Sequence, residues 1–258
     1  MKKAACLIIL LALAGSAWAS SQTFDLIVDP VPEQPAGTLD VQLIQSNVPK
    51  GHDQAEDGAV ATNHVSRSAF RAMYSLLDGL NLMAQLNVAR PLGGSLDYAG
   101  SEFGVHFRLL EVGGWKLGGA LELEWQRQPQ YVDNQLDIDF HPLIERDFGP
   151  VTILLNPTVE ENLVGPEAGK GLEFSYGAKV AYQWKRWCSP GVEFYGDVGK
   201  IDDTDSLRRQ EHYIMPVVDA QLTDAWHLTA GAGVGMTRAS DQVITKLAVK
   251  YRLPDIGL

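Results

Sequence analysis

The sequence is poor in cysteine, in basic charge and in long apolar runs, and each shortage closes off a class of protein. Two cysteines occur in 258 residues, and Cys6 lies in an N-terminal stretch expected to be cleaved. Cys188 is then alone, so no internal disulfide can form in an oxidising compartment. It reads as a partly buried small hydrophobe rather than a catalytic thiol. Acidic residues outnumber basic ones by 32 to 21, for a formal charge of −11, and that sign argues against a nucleic-acid partner. No run of eighteen apolar residues follows Ala19, so no membrane-spanning helix is expected. A closed β-barrel stays open as a fold, because it too satisfies every backbone group in lipid and gives a much weaker signal per segment. No G-x-S-x-G elbow is present.

The N-terminus carries a basic start, MKK, an apolar run, CLIILLALAG, and an A-x-A site at Ala17-Trp18-Ala19. Residues 1–19 therefore read as a secretory signal peptide; a single-pass anchor is the rival, and the run is short for one. Cys6 sits inside the run rather than after it, against lipoprotein cleavage. Residues 20–36, with DPVPEQPAG, are proline-rich and without periodicity, so an extended periplasmic lead-in is expected. Residues 37–258 form the remaining unit.

There a two-residue alternation recurs nearly to the end. In WKLGGALELEWQ, Trp115, Leu117, Gly119, Leu121, Leu123 and Trp125 share one parity, and Lys116, Gly118, Ala120, Glu122, Glu124 and Gln126 the other. That is a strand with one apolar and one polar face. The run from Leu172 to Lys185 is the longest clean example, and about twelve such segments follow one another. Short connections such as LDG, EVGG and TDA, with stretches around LIERDFG and KRWCSP, alternate with longer polar ones such as RPLGGSLDYAGS and KIDDTDSLRRQ. The expected fold is all-β: one antiparallel up-and-down transmembrane barrel, short turns and both termini on the periplasmic rim.

Alternation alone does not say which face is inside, and a soluble secreted β-domain would turn the apolar parity inward. Three features favour the inverted arrangement. The apolar parity is bulky across nearly every strand. Trp115, Trp125, Trp184, Trp226 and Tyr251 stand near strand ends, where an interfacial girdle belongs. The other parity mixes charges of both signs with Gly, Ala, Ser and Thr, as a wet lumen would. The C-terminus departs from the usual pattern: the last strand ends at Leu253, and Tyr251 is the nearest aromatic.

The hairpin YAGSEFGVHFRLLEVGGWKLGGALELEWQRQ, with KGLEFSYGAKVAYQW and ITKLAVKYRL, resembles those of the outer-membrane proteins grouped under the meta-pathway of phenol degradation and related transporter-like barrels. The resemblance implies a barrel in the Gram-negative outer membrane with an uptake role. It carries over no catalytic residue.

The candidate solute pathway is the polar parity. Glu102, His106, Arg108, Glu122, Glu124, Asp137, Asp139 and His141 come from three consecutive strands and are expected to converge on one sector of the lumen. With Lys116, they could filter a cation or polar solute, or they could pair with one another and stiffen the barrel. Lys179, Lys185, Lys246, Lys250 and Arg252 would form an opposing basic wall. Asp137, Asp139 and His141 share a face, but no second histidine or cysteine joins them, so no metal and no cofactor is expected. A lipid-modifying enzyme is the alternative class, for which His64 with Ser66 and Ser68 is the only local grouping, and a purely structural barrel is a third. The expected partners are outer-membrane lipid and a small solute, with a monomeric chain and a lumen too narrow for a wide pore.

Overall fold

The computed structural model describes residues 26–53, 61–127, 135–165, 168–204, 206–254 and 256; the expected signal peptide lies outside them. Twelve strands follow in chain order: β1 (Leu39–Lys50), β2 (Ser66–Leu77), β3 (Leu80–Arg90), β4 (Asp97–Val112), β5 (Trp115–Gln126), β6 (Gln135–Phe148), β7 (Val151–Val164), β8 (Leu172–Tyr182), β9 (Cys188–Lys200), β10 (Glu211–Gln221), β11 (Trp226–Gly235) and β12 (Val243–Leu253). Each pairs antiparallel with its neighbours in sequence, and β1 closes on β12 from Leu39↔Leu253 onward. Closure removes both sheet edges. The strands run from 10 to 16 residues, at or above the roughly 9–11 that a tilted strand needs to cross a bilayer.

Turn chemistry fixes the short rim. Gly113 and Gly114 both have positive φ, 57° and 78°, as a two-residue hairpin of type I′ requires, and only glycine adopts this pair of conformations cheaply. Two local readings shift. LIERDFG belongs to β6 as far as Phe148, with Gly149 at φ 61° making the turn, and Cys188 to Pro190 open β9 instead of lying in the connection. In both places strand pairing outweighs the turn-like local composition, at Glu145 and Arg146 with two neighbours and at Cys188 to Pro190 with β10. Pro142 and Pro157 stand opposite each other between β6 and β7, and the pairing lapses between Phe140↔Val159 and Ile144↔Leu155. Neither proline has an N–H to give the ladder.

The faces are inverted relative to a soluble β-protein. Phe103 is 63% exposed, and Phe70, Leu82, Leu121, Leu123 and Phe140 also face outward, while Glu102, His106, Asp137, Glu193 and Lys246 are buried. A water-soluble monomer does not present a continuous apolar belt of this extent. At the short-turn end, Trp226 packs on Tyr251 with ring centroids 4.6 Å apart, and the Arg146 guanidinium lies over Trp115 and Phe148 at 5.0 and 4.6 Å. These amphipathic side chains ring the belt where an interface would lie.

Candidate functional site

The lumen is built in tiers; its inner half, meaning the half toward the short turns, holds the chain's own N-terminal segment. Residues 26–35 belong to no strand and run inside the barrel. Leu26 and Val28 are buried with Leu154, Tyr195, Met215 and Ile244 of the wall. Ile27 points the other way, onto Ile44, Ala69 and Ala248. The segment thus has apolar contacts on both sides.

Its composition explains how a chain without ladder partners is tolerated there. Between Asp29 and Pro32, the two prolines lack an N–H, leaving two donors to satisfy. The Asp29 N–H donates to Asn156 Oδ1 (2.7 Å), whose Nδ2 donates back to the Asp29 carbonyl (3.0 Å). The Val31 N–H donates to Glu145 Oε2 at 3.1 Å. Side chains tie the same stretch down: Arg71 to Asp29 at 3.0 Å, and Lys116 to both Glu33 (2.9 Å) and Glu145 (2.8 Å). Two lumen-facing glycines leave the space. A Cβ on Gly177 would stand 3.3 Å from Val28, and one on Gly118 equally close to Val31. A cavity of about 40 Å³ remains beside Asp29, Pro30, Arg71 and His106, room for about one water molecule.

In the middle tier, Glu122 joins two histidines. Its Oε1 lies 2.6 Å from His106 Nε2 and its Oε2 lies 3.0 Å from His141 Nε2, and His141 Nδ1 meets Thr158 Oγ1 at 2.8 Å. Gly104, opposite Glu122 in the register, makes the fit possible: a Cβ there would come within 2.7 Å of Glu122 Cγ.

Across the barrel, the expected basic residues are paired. Lys179 reaches Glu193 (3.0 Å) and Asp219 (2.8 Å), and Lys246 bonds the other oxygen of Glu193. Arg252 grips Asp40 with two bonds of 2.8 and 2.7 Å, and Lys250 is 3.8 Å from the same carboxylate. Lys185 stands apart, exposed in the turn after β8 over the Trp184 ring. Arg108 is half-exposed at the inner rim with Glu111.

In the outer tier, Glu102 accepts from Gln85 (2.7 Å) and Asn87 (2.5 Å), and Glu124 from Gln126 (3.0 Å). Asp137 and Asp139 complete the expected group, joined by Glu160 and Glu173 on β7 and β8. Beside them, the first long connection is pinned to the last: His52 Nε2 lies 2.9 Å from the Ala239 carbonyl oxygen, and Thr62 bonds Asp241.

Asn156, Glu145 and Asp40 were not singled out from sequence. They lie on the polar parity of their strands, which is the signal that could have marked them. Among the described residues, no three acidic, histidine or cysteine side chains are placed to hold a metal ion. The hydroxyls of Ser66 and Ser68 bond Asn47 and Gln45. His212 faces outward from β10, with Tyr176 and Gln210 as its ring partners.

No family model matches the sequence, and no curated protein does. Solved structures match the fold. The COG4313 outer membrane channel from Pseudomonas putida F1 aligns over 88% of this chain and 100% of its own, with a TM-score of 0.61 and 14% identity. The KdgM porin aligns over 82% and 98%, with a TM-score of 0.56 and 9% identity, and the NanC porin over 83% and 100%, also at 0.56, with 8% identity. At these identities the likeness is one of fold: this chain has the barrel architecture of outer-membrane channels.

Proposed function

We propose that the chain is a narrow outer-membrane channel for a small solute, exported by a signal peptide at residues 1–19 and acting as a monomer. The observation that carries this reading is the inverted barrel: an apolar belt outside and a lumen lined by ionisable groups within. Such a wall satisfies a bilayer and offers a polar path through it. The fold's recurrence among porins supports it, as does the KdgM porin in complex with oligogalacturonate, a barrel of this architecture that takes a solute. The hairpins' resemblance to the phenol meta-pathway barrels supports an uptake role. Residues 26–35 are the constriction in this reading, because they lie in the lumen between Leu154, Tyr195 and Met215 on one side and Ile44, Ala69 and Ala248 on the other.

The test is planar-bilayer conductance of the refolded mature chain, beside a gel for heat-modifiable migration. A closed barrel with small discrete steps, enlarged when residues 26–35 are deleted, is the expected result. A chain that folds in buffer without detergent, or a deletion barrel that carries no current, would overturn the reading.

A further inference from the structure

The register places carboxylates directly opposite one another in the outer tier. Glu102 faces Glu124, and Glu124 faces Asp137; one step inward, Glu122 faces Asp139, Asp139 faces Glu160, and Glu160 faces Glu173. Like charges in directly opposed positions destabilise a sheet, and five such pairings of carboxyl groups occur here. A charge cluster of this kind is not by itself a site. The second observation is what it leaves unbonded. Asp137 is 0% exposed, and neither of its oxygens has a hydrogen-bond partner. Asp139 Oδ1 and Asn162 Oδ1, at 7% and 3% exposure for their residues, are also unpartnered. Asn162 is the register partner of Asp137 on β7. The Gln126 amide gives one of its two N–H groups to Glu124. Gln135 and Gln126 are the amide donors beside Asp137, and neither meets its carboxylate in full hydrogen-bonding geometry.

Four buried oxygens on these neighbouring residues are therefore without a well-formed hydrogen bond, and the glutamine amides beside Asp137 are the donors within reach of it. Buried acceptors without donors are costly, and their complement is a positive group that brings several N–H bonds at once. A bare metal ion is the poorer match, since among the described residues no three acidic, histidine or cysteine side chains are placed to hold one. We infer that the patch formed by Asp137, Asp139 and Asn162 is a binding site for a small organic cation bearing an ammonium or guanidinium group. The inference deepens the channel reading and rests on it for access from the outer mouth. Three N–H donors of an ammonium would meet the two oxygens of Asp137 and one of its neighbours in charge-assisted bonds.

The test is titration calorimetry of the refolded mature barrel in detergent, with 1,4-diaminobutane as the probe. Saturable binding is expected, weakened about tenfold or more by Asp137→Asn, since a charge-assisted bond lost at a desolvated site is worth at least that factor. Asp137→Asn keeps the side-chain volume and relieves like-charge repulsion, so the variant is expected to fold, as heat-modifiable migration will check. Asp224→Asn, in the turn before β11, is expected to bind like the parent. Tetramethylammonium, which carries the charge but no N–H, is expected to bind at least about tenfold more weakly. No saturable heat, an Asp137→Asn affinity equal to the parent's, equal binding of tetramethylammonium, or calcium binding more tightly than the diamine would each overturn the inference. Calorimetry needs no current through the barrel. Binding without conductance would sink the channel reading alone, and conductance without binding would sink this site alone.

Discussion

Replacing Asn156 by Ala is the sharpest perturbation of the inner lumen. Asn156 is buried on β7, and its amide both accepts from and donates to the backbone of Asp29. Truncation removes two hydrogen bonds, each worth about 0.5–1.5 kcal/mol net, and leaves the Asp29 N–H without a partner in a desolvated place. Water that enters the vacated space recovers part of this, so the docking of residues 26–35 should weaken by about 1–3 kcal/mol. At about 1.4 kcal/mol per factor of ten, that multiplies the population with the segment released by roughly five- to a hundredfold. Amide hydrogen exchange reads this ratio directly when reclosing is fast. The Asp29 and Val31 amides should exchange faster by that factor, while the ladder amides of β7 and β8, which pair through backbone at Asn156↔Gly177, keep their protection. Unchanged exchange at Asp29 and Val31 would refute the claim that this clasp holds the segment. Equal acceleration throughout β7 would show that the variant loosens the wall instead.

Gly177→Val should act on the same segment from the opposite direction: its methyls have no space beyond a Cβ already 3.3 Å from Val28, so about 1–3 kcal/mol of overpacking is expected, read as faster exchange at Asp29 and Val31. Leu121→Arg puts a charge at the middle of β5 on the outward face; refolding into vesicles under a urea titration should lose about 2–4 kcal/mol, and an unchanged midpoint would tell against a lipid-facing belt. Glu122→Gln combined with Glu124→Gln removes two carboxylates from the lumen, so the reversal potential under a potassium chloride gradient should move toward zero. A reversal potential equal to the parent's would mean that these groups do not face the ion path.

The wall of the barrel was legible in the sequence because the side-chain period of a strand is two, and one parity here is uniformly apolar. That pattern gives about twelve strands, and twelve are found among the described residues. Where local composition competes with pairing it misleads: Glu145 and Arg146 look like a turn but lie on β6 between two partners. The place of residues 26–35 was not legible at all. Prolines and missing periodicity are the ordinary signature of a linker, yet the same missing N–H groups are what permit this stretch to be buried without a strand beside it. Nor can parity alone reveal which lumen charges meet. Lys179 and Lys246 were expected to stand as part of a basic wall, but they share Glu193 on β9, a match that depends on register and on the barrel's closure. Lys185 continues the polar parity of β8 by arithmetic, but the strand has ended at Tyr182.

The lumen's charges divide by depth, and the division bears on how passage and selectivity are related. In the inner half, each expected or newly found cation has a carboxylate: Arg71 has Asp29, Lys116 has Glu33 and Glu145, Lys250 and Arg252 have Asp40. An unpaired charge among Leu26, Val28, Tyr195 and Met215 would cost several kcal/mol, so the inner half is close to neutral only while the segment is in place. Two of those carboxylates, Asp29 and Glu33, belong to the segment itself. Removing residues 26–35 therefore widens the path and takes one carboxylate from each of Arg71 and Lys116, while Arg71 keeps Gln85 and Lys116 keeps Glu145, making the inner lumen more positive as it opens. Asp137, Asp139 and Glu160, on β6 and β7, are not among the carboxylates that the segment contributes. In the channel reading proposed above, these carboxylates attract a cation whether or not the segment is docked, and its onward step is governed separately, by the segment and by Arg71 and Lys116 beneath it.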